Sequence, residues 1–357
     1  MEINTIDQTK AEEFAGHMLN TLNGGFISLA ISIGKRTGLF EVMKDMEPSN
    51  SFEIASASGL NERYIREWLG TMVTGKIVEY DPITGKYYLP AEHAPFLTEI
   101  GGMDNMSLFA DTLFSTVDSI DKIVECFHKG GGVKYDEFSQ CLHCIKELSI
   151  PYYDNLLIDK VLPLIPGLKE KMANGIKVLD IGCGHGHAIN VMAQNFPNSS
   201  FTGYDLVPDS IREARKEMEE YELNNVRFEV HDVKELNEVN NYDLITAFDA
   251  IHDQAHPRKV LSSIAKALKD NGVFLMVDIK ASSKLENNLD HMLAPAFYTV
   301  SLTHCMTVSL AYNGEGLGTM WGKEKAEELL AEAGFKVSGI YELPEDIMNY
   351  YYICQKS

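Results

Sequence analysis

The second half of this 357-residue chain alternates short apolar segments with helical ones, and this alternation constrains the fold more than any other feature. The apolar segments have the length of buried strands and lie at 177–181, 200–204, 226–230, 242–248 and 272–278. Segments with helical periodicity follow at 186–196, 208–222 and 255–269. Strands that alternate with helices build a parallel sheet covered by helices on both faces. The sequence therefore predicts a doubly wound, Rossmann-like α/β domain.

The first half of the chain predicts a smaller, mainly helical domain. Helical patterns cover 9–45, 51–59 and 61–75, the second of them closed by Gly59. Two short strands, 77–80 and 86–89, flank a turn that contains proline and glycine. Helix–turn–helix followed by a hairpin is the outline of a winged helix.

A third segment, 103–170, is mostly helical in pattern, with expected interruptions at 130–132 and at Pro151. The predicted organisation is a winged-helix domain at 1–100, a helical connector at 101–170 and the α/β domain at 171–357.

Charge and cysteine usage exclude several classes of partner. The net charge is −21 and the pI about 4.9, which argues against nucleic acid or an anionic membrane as the main partner. The longest apolar run, 24–33, is far shorter than the ~18–20 residues of a spanning helix. The six cysteines follow no framework spacing, and Cys141 and Cys144 lack further ligands nearby, so we predict a cytoplasmic protein without a metal site.

A glycine turn follows the first predicted strand of the α/β domain. Gly182, Gly184 and Gly186 come directly after the strand that ends in Asp180-Ile181. Glycine permits positive φ and close approach of the backbone to a ligand. A dinucleotide fingerprint G-x-G-x-x-G requires glycine at 187, where this chain has His187. The carboxylate of Asp180 suits a ligand with ammonium and sulfonium charges better than it suits a pyrophosphate.

Two more carboxylates follow the next strands. Asp205 ends the second strand, at the position where an acidic side chain typically accepts hydrogen bonds from ribose hydroxyls. Asp232 follows the third strand, where it is placed to accept from an adenine amino group. Because ligands of open α/β sheets bind at the carboxyl ends of the strands, Asp180, Asp205 and Asp232 are predicted to share one site.

Residues 178–188, Asp205 and Asp232 resemble the motifs of class I S-adenosylmethionine-dependent methyltransferases. The strand at 271–277 and the segment 321–335 also resemble late motifs of that family, although Asn271 stands where its first glycine is usual. The resemblance covers nearly the whole chain. It is closest to a group often labelled transcriptional regulator or methyltransferase, and looser to small-molecule O-methyltransferases.

The resemblance implies S-adenosylmethionine as cofactor and assigns the residues around it. The neighbours Leu206 and Val233 join the ribose and adenine carboxylates, and Phe248 with Asp249 flanks the methionine portion. His252 occupies the position of the family's general base, followed by Asp253 as in the family. The tryptophan that usually comes next is replaced by Gln254, so packing beneath the acceptor site is an equally strong alternative for His252.

Residues 280–322 form a long insertion rich in methionine and aromatic residues, which predicts either a lid over the methyl acceptor or ordinary packing. His304 lies within it and is a second candidate base. The winged helix carries mixed charge at Glu62, Arg63, Arg66 and Glu67, unlike a basic recognition helix. By resemblance, this domain forms a homodimer.

The sequence therefore predicts methyl transfer from S-adenosylmethionine to a hydroxyl, thiol or amine of a small molecule, by in-line displacement. No nucleic-acid or membrane partner is expected. The alternatives are a winged-helix DNA-binding regulator that senses S-adenosylmethionine, and a scaffold that binds the cofactor without turnover.

Overall fold

The computed structural model describes residues 6–357, apart from the side chains of residues 139 and 140, so the first five residues of the predicted 1–100 domain lie outside it. The chain divides into two compact units, one ending at Ser115 and the other spanning Thr116–Ser357. No helix within the described range combines the length and the apolar character that a bilayer crossing requires.

The first unit contains the predicted winged helix. Its helices are α1 (Gln8–Arg36), α2 (Leu39–Lys44), α3 (Ser51–Ser58), α4 (Glu62–Thr74) and α5 (Ser107–Ser115). Its antiparallel hairpin consists of β1 (Glu79–Asp81) and β2 (Lys86–Tyr88). Asn50 and Glu53 form a reciprocal capping box at the start of α3, and Gly59 ends that helix with φ 71°. Phe40, Ile54 and Leu69 lie in the core of the unit.

Two boundaries in this unit differ from the prediction. The helix expected over 9–45 is broken between α1 and α2 by Gly38, whose φ of 70° ends the helical path. The first strand begins at Glu79, later than expected, because the N–H groups of Ile77 and Val78 both point to the carbonyl oxygen of Met72 and so close α4.

The second unit begins with helices and continues into the sheet. Its first part holds α6 (Ile120–Lys129), α7 (Ser139–Tyr152), a π-helix (Tyr153–Val161) and α8 (Leu168–Asn174). The interruption predicted at Pro151 does not occur. Pro151 lies inside α7, and the chain continues directly into the wider turns of the π-helix.

The sheet of the second unit confirms the predicted doubly wound arrangement. The remaining elements are β3 (Lys177–Ile181), α9 (His187–Asn195), β4 (Ser200–Asp205), α10 (Pro208–Glu220), β5 (Val226–Val230), β6 (Tyr242–Phe248), α11 (Pro257–Ala267), β7 (Leu268–Ile279), α12 (Ala294–Val300), a π-helix (Ser301–Cys305), α13 (Met306–Ala311), α14 (Gly322–Glu332), β8 (Phe335–Leu343) and β9 (Asp346–Lys356). The strand order is β5-β4-β3-β6-β7-β9-β8. Strands β3 to β7 are mutually parallel, whereas β9 runs antiparallel to β7 and β8.

This order places a topological switch point at β3. The chain winds from β3 through β4 to β5 in one direction and from β6 to β7 in the other. The crevice for a ligand in such a sheet lies outside the carboxyl ends of the strands at that point. The fold therefore places the glycine turn after β3, and the segments after β4, β5 and β6, around one potential site.

Candidate active site

A cavity of about 340 Å³ lies at the carboxyl edge of the sheet in the second unit. Nine of the ten residues predicted to bind the cofactor line it: Gly182, Gly184, Gly186, Asp205, Leu206, Asp232, Val233, Phe248 and Asp249. The tenth, Asp180, is buried in β3 and is not part of the wall. The volume falls within the range of small-molecule sites, about 300–1,000 Å³.

The glycine turn forms one wall of the cavity. Gly182 has φ 67°, and a Cβ atom there would lie 2.6 Å from the Cβ of Ala250, so a larger residue would displace the segment after β6. Gly184 has φ 52° and faces open space. The N–H groups of Gly182 and Cys183 donate to the carbonyl oxygen of Tyr204, at 2.8 and 3.0 Å. The turn is thereby fixed to the end of β4 with its backbone exposed to the cavity.

Asp205 is oriented by backbone groups on both sides. Its Oδ2 accepts from the N–H of Gly184 and its Oδ1 from the N–H of Val207, each at 2.8 Å. Burial raises the pKa of Asp205, while these two N–H groups act to lower it. Since a carboxylate has about four acceptor positions, each oxygen keeps capacity for a further donor from the cavity.

Asp232 is engaged differently from Asp205. One oxygen lies 2.6 Å from the Nζ of Lys234, and the other accepts from the N–H of Lys234 at 3.2 Å. The carboxylate and this ammonium are each about one-third exposed. A ligand amino group at Asp232 would therefore share the carboxylate with Lys234.

Two carboxylates and a phenol stand close to the glycine turn. Asp180 accepts from the hydroxyl of Thr246 at 2.6 Å, and burial raises its pKa to about 7. Asp249 is exposed to the cavity, and desolvation at the enclosed edge of the sheet, together with the nearby carboxylate of Asp278, raises its pKa above the ordinary value. Its φ of 49° is rare for a residue with a side chain, and such strained positions cluster at functional sites. Tyr153 lies beside them, its ring edge-on to Phe248 with centroids 5.4 Å apart.

His252 lies behind the cavity wall. It is only 3% exposed and does not line the cavity, whereas Asp253 does. Its Nδ1 lies 2.8 Å from an oxygen of Asp278, and its Nε2 lies 3.3 Å from an oxygen of Asp253. Burial lowers the pKa of His252, but the carboxylates of Asp278 and Asp253 raise it more, so the pKa lies well above its usual value.

Several cavity residues carry no motif in the sequence. Tyr135 and Tyr153 come from the helical segment before the sheet, and His304 and Tyr312 from the insertion after β7. The insertion thus supplies part of the cavity wall, whereas its Trp321 is buried and donates to Asp278 at 2.9 Å. The sequence identified the cavity residues of the sheet because each lies in a loop that follows a strand. No comparable signal exists for an aromatic residue on a connecting helix.

Two family models match the chain. Residues 173–334 match the family described as "Methyltransferase domain", and residues 25–99 match the family described as "Rv2258c-like winged HTH domain". The first match contains the glycine turn and the segments after β4, β5 and β6.

Individual relatives are similar over different lengths. A malonyl-[acyl-carrier protein] O-methyltransferase of Paenibacillus sp. (strain JDR-2) is 29% identical over 163 residues, which cover 44% of this chain and 55% of that protein. The chain thus spans about half the length of this relative.

Solved structures match nearly the whole chain. The mitomycin 7-O-methyltransferase structure has a TM-score of 0.71 at 16% identity and covers 98% of this chain and 100% of its own. Human N-acetylserotonin methyltransferase, solved in complex with S-adenosylmethionine, has a TM-score of 0.67 at 16% identity and covers 99% of each chain. At these identities the likeness establishes the fold.

Proposed function

We propose that this chain, a methyltransferase domain preceded by a winged helix-turn-helix domain, transfers a methyl group from S-adenosylmethionine to a hydroxyl, thiol or amine of a small molecule. The observation that carries the proposal is the single cavity that gathers nine of the ten predicted cofactor residues at the switch point of the sheet. The names of the matched structures, a mitomycin 7-O-methyltransferase and an N-acetylserotonin methyltransferase, support a small-molecule acceptor.

The residues of the cavity fit S-adenosylmethionine in charge and in hydrogen bonding. The carboxylate of Asp249 is exposed to the cavity, where a cationic ligand can pair with it. Asp205 retains acceptor capacity for hydroxyl groups beside the exposed glycine backbone. When bound, the cofactor supplies an electrophilic methyl group on a sulfonium sulfur.

In this proposal the residues of the chain bind the cofactor, orient it and shield it from solvent. Asp205, Leu206, Asp232 and Val233 hold the adenosine portion, while Asp249, Phe248 and the glycine turn hold the amino acid portion. Tyr153 packs against Phe248 and covers that end of the cavity. Fixing two reactants in one enclosed site is the main contribution a protein makes to such a transfer.

A DNA-binding role for the winged helix has less support. On α4, Arg63 lies 2.5 Å from Glu67, and Arg66 lies 3.3 Å from Glu62. These neighbouring carboxylates neutralise the guanidinium groups that phosphate contacts would need. We therefore propose a homodimerisation role for this domain and expect neither a nucleic-acid partner nor a membrane partner, in a cytoplasmic protein.

The proposal is tested by calorimetry and by transfer of label. We expect the protein to bind S-adenosylhomocysteine and to move a labelled methyl group to at least one member of a panel of catechols, thiols and amines. Absence of binding would contradict the cofactor assignment. Binding without transfer to any member would favour the scaffold alternative.

A further inference from the structure

Part of the cavity wall is formed by residues that the proposed cofactor contacts do not use. Three of them carry aromatic rings, namely Tyr135, His304 and Tyr312. The ring of Tyr135 lies edge-on to that of His304, with centroids 6.0 Å apart, and its centroid is 6.4 Å from that of Tyr312. Rings about 4.5–7 Å apart are in favourable contact. The three side chains therefore form one surface, which we call the aromatic wall.

Contacts between two distant segments hold the aromatic wall in place. The N–H of Val133 donates to the Oγ1 of Thr307 at 3.0 Å. A Cβ atom at Gly132 would overlap the carbonyl oxygen of Thr307, so the chain just before Tyr135 runs directly against α13. This helix begins immediately after the π-helix that carries His304. The wall is therefore formed before a ligand arrives, and binding does not have to order it.

His304 brings a polar group without a partner to the aromatic wall. Its side chain is 1% exposed, and the rings of Tyr135 and Phe138 enclose it edge-on. Burial lowers the pKa of His304, so near pH 7 the ring is neutral and carries one donor and one acceptor nitrogen. Neither nitrogen has a hydrogen bond to another described residue. Nδ1 is closed off from solvent whereas Nε2 is not, so Nε2 is the nitrogen that a ligand in the cavity can reach.

The charges of the cavity disfavour an acidic ligand at the aromatic wall. Burial raises the pKa of Tyr135, and the carboxylate of Asp253 adds to this increase, which places Asp253 close to the wall. Among the described residues that line the cavity, the lysines are Lys146 and Lys234, and there is no arginine. Each lysine already pairs with a carboxylate, at 2.9 and 2.6 Å respectively. An anion at the wall would therefore be repelled by Asp253 without a free lysine to balance it.

We propose that the aromatic wall binds the methyl acceptor, that this acceptor is an uncharged aromatic molecule and not a carboxylic acid, and that His304 hydrogen-bonds a polar substituent on its ring. This inference rests on the proposed function and narrows its acceptor. It separates this chain from the relative whose name specifies a malonyl group, which is acidic.

The central experiment compares 2-naphthol with 2-naphthoate, which share one ring system and differ in charge near neutral pH. Calorimetry with the S-adenosylhomocysteine complex of the wild type measures the binding of each. We expect 2-naphthol to bind at least about 10-fold more tightly, because 2-naphthoate sets a second carboxylate against Asp253. Decanoate, an acid without a ring, should bind still more weakly. Tighter binding of either acid, or failure of both catechol and 2-naphthol to bind, would overturn the proposal.

The role of His304 is tested by His304→Phe, which keeps a ring and removes both nitrogens. The affinity for 2-naphthol should fall roughly 10-fold, or ~1.4 kcal/mol, the contribution of one hydrogen bond. The affinity for S-adenosylhomocysteine should stay unchanged. His304→Gln keeps a donor and an acceptor and should recover part of the loss. The matched control is His128→Phe, at an exposed position of α6.

A second variant avoids the buried position. Tyr312 is 39% exposed, so Tyr312→Leu removes an aromatic contact without disturbing the core. It should weaken the binding of 2-naphthol and leave that of S-adenosylhomocysteine unchanged. An unchanged affinity for 2-naphthol in both Tyr312→Leu and His304→Phe would show that the acceptor binds elsewhere and would overturn the proposal.

The two proposals fail in different ways. A wild type that binds no S-adenosylhomocysteine and methylates nothing contradicts the proposed function, and this inference falls with it. A wild type that methylates decanoate or 2-naphthoate but neither catechol nor 2-naphthol contradicts this inference alone.

Discussion

Asp205 acts at the scale of one residue by fixing two backbone segments at once. Its two oxygens bind the N–H groups of Gly184 and Val207, which belong to the turns after β3 and β4. Hydrogen bonds to a charged group contribute about 1.5–3 kcal/mol each. The carboxylate therefore holds the glycine turn in the shape that a ligand meets.

We expect Asp205→Asn to weaken S-adenosylhomocysteine binding by at least about 10-fold, which corresponds to ~1.4 kcal/mol. The asparagine amide would set an NH₂ donor against one of two N–H donors, so one of the turns loses its partner. Titration calorimetry measures the change. The control is Asp209→Asn, whose side chain is 76% exposed in α10. An unchanged affinity for Asp205→Asn would refute the proposed contact.

At the scale of elements, His187 joins three segments around the cavity. It is the first residue of α9; its Nδ1 lies 2.8 Å from Glu217 in α10, and its Nε2 lies 2.9 Å from Asp154 in the π-helix Tyr153–Val161. Burial lowers the pKa of His187, but Glu217 and Asp154 raise it more, so that the net shift is upward. The protonated ring thus ties the π-helix that carries Tyr153 to the helices of the α/β layer.

This bridge makes part of the stability depend on pH. A histidine whose folded pKa is raised contributes stability that is fully present below about pH 6.5 and is lost as the pH rises through the folded pKa. His187→Gln should lower the free energy of unfolding by roughly 2 kcal/mol near pH 6, and the difference from the wild type should shrink toward pH 9. Urea unfolding at several pH values measures it.

The control for this prediction is His143→Gln, because the His143 side chain is 64% exposed and pairs with Glu147, one turn along α7. Its difference from the wild type should be small at every pH. A His187→Gln difference that stays constant between acid and alkaline pH would show that the ring acts by packing and not by charge.

The elements differ in how well the sequence predicts them. The strands of the sheet and the glycine turn are visible because apolar runs and glycines leave local signatures, and β3, β5 and β6 have the predicted bounds. The π-helix after Pro151 has no such signature, since it depends on packing against distant residues such as His187. The sequence also left open whether His252 faces a ligand, because its depth is set by Asp278 and Trp321, which are far away in the chain.

For the whole molecule, the net negative charge of the chain matches the positive charge of the proposed cofactor. The chain carries a net charge of −21, and Asp205, Asp249 and Asp253 all line the cavity. Four carboxylates line the cavity against the ammonium groups of Lys146 and Lys234, and a cleft with such an excess of negative charge concentrates cationic ligands. A cationic cofactor is therefore attracted to the site, whereas a polyanion is repelled by the molecule as a whole.

The exposed start of α1 argues for a second copy of the chain. Residues 8–26 are exposed throughout, and Phe14, Met18, Leu22 and Phe26 are 63%, 40%, 54% and 67% exposed on successive turns. Most of the stability of a helix in a protein comes from the packing of its apolar face, and contiguous exposed apolar surface of this kind marks an interface. Burying it at ~25 cal/mol per Å² would stabilise both the helix and the association.

We expect the wild type to sediment as a dimer and the double variant Leu22→Glu/Phe26→Glu to sediment as a monomer, because two carboxylates would be buried in the proposed interface. Ile83→Glu is the matched control, since Ile83 is 93% exposed in the hairpin turn and is expected to leave the dimer intact. Sedimentation velocity over a range of concentrations measures both. Assembly through α1 would be contradicted if the wild type were a monomer or if the double variant remained a dimer. Cofactor binding by the monomeric double variant would show that the cavity is complete within one chain.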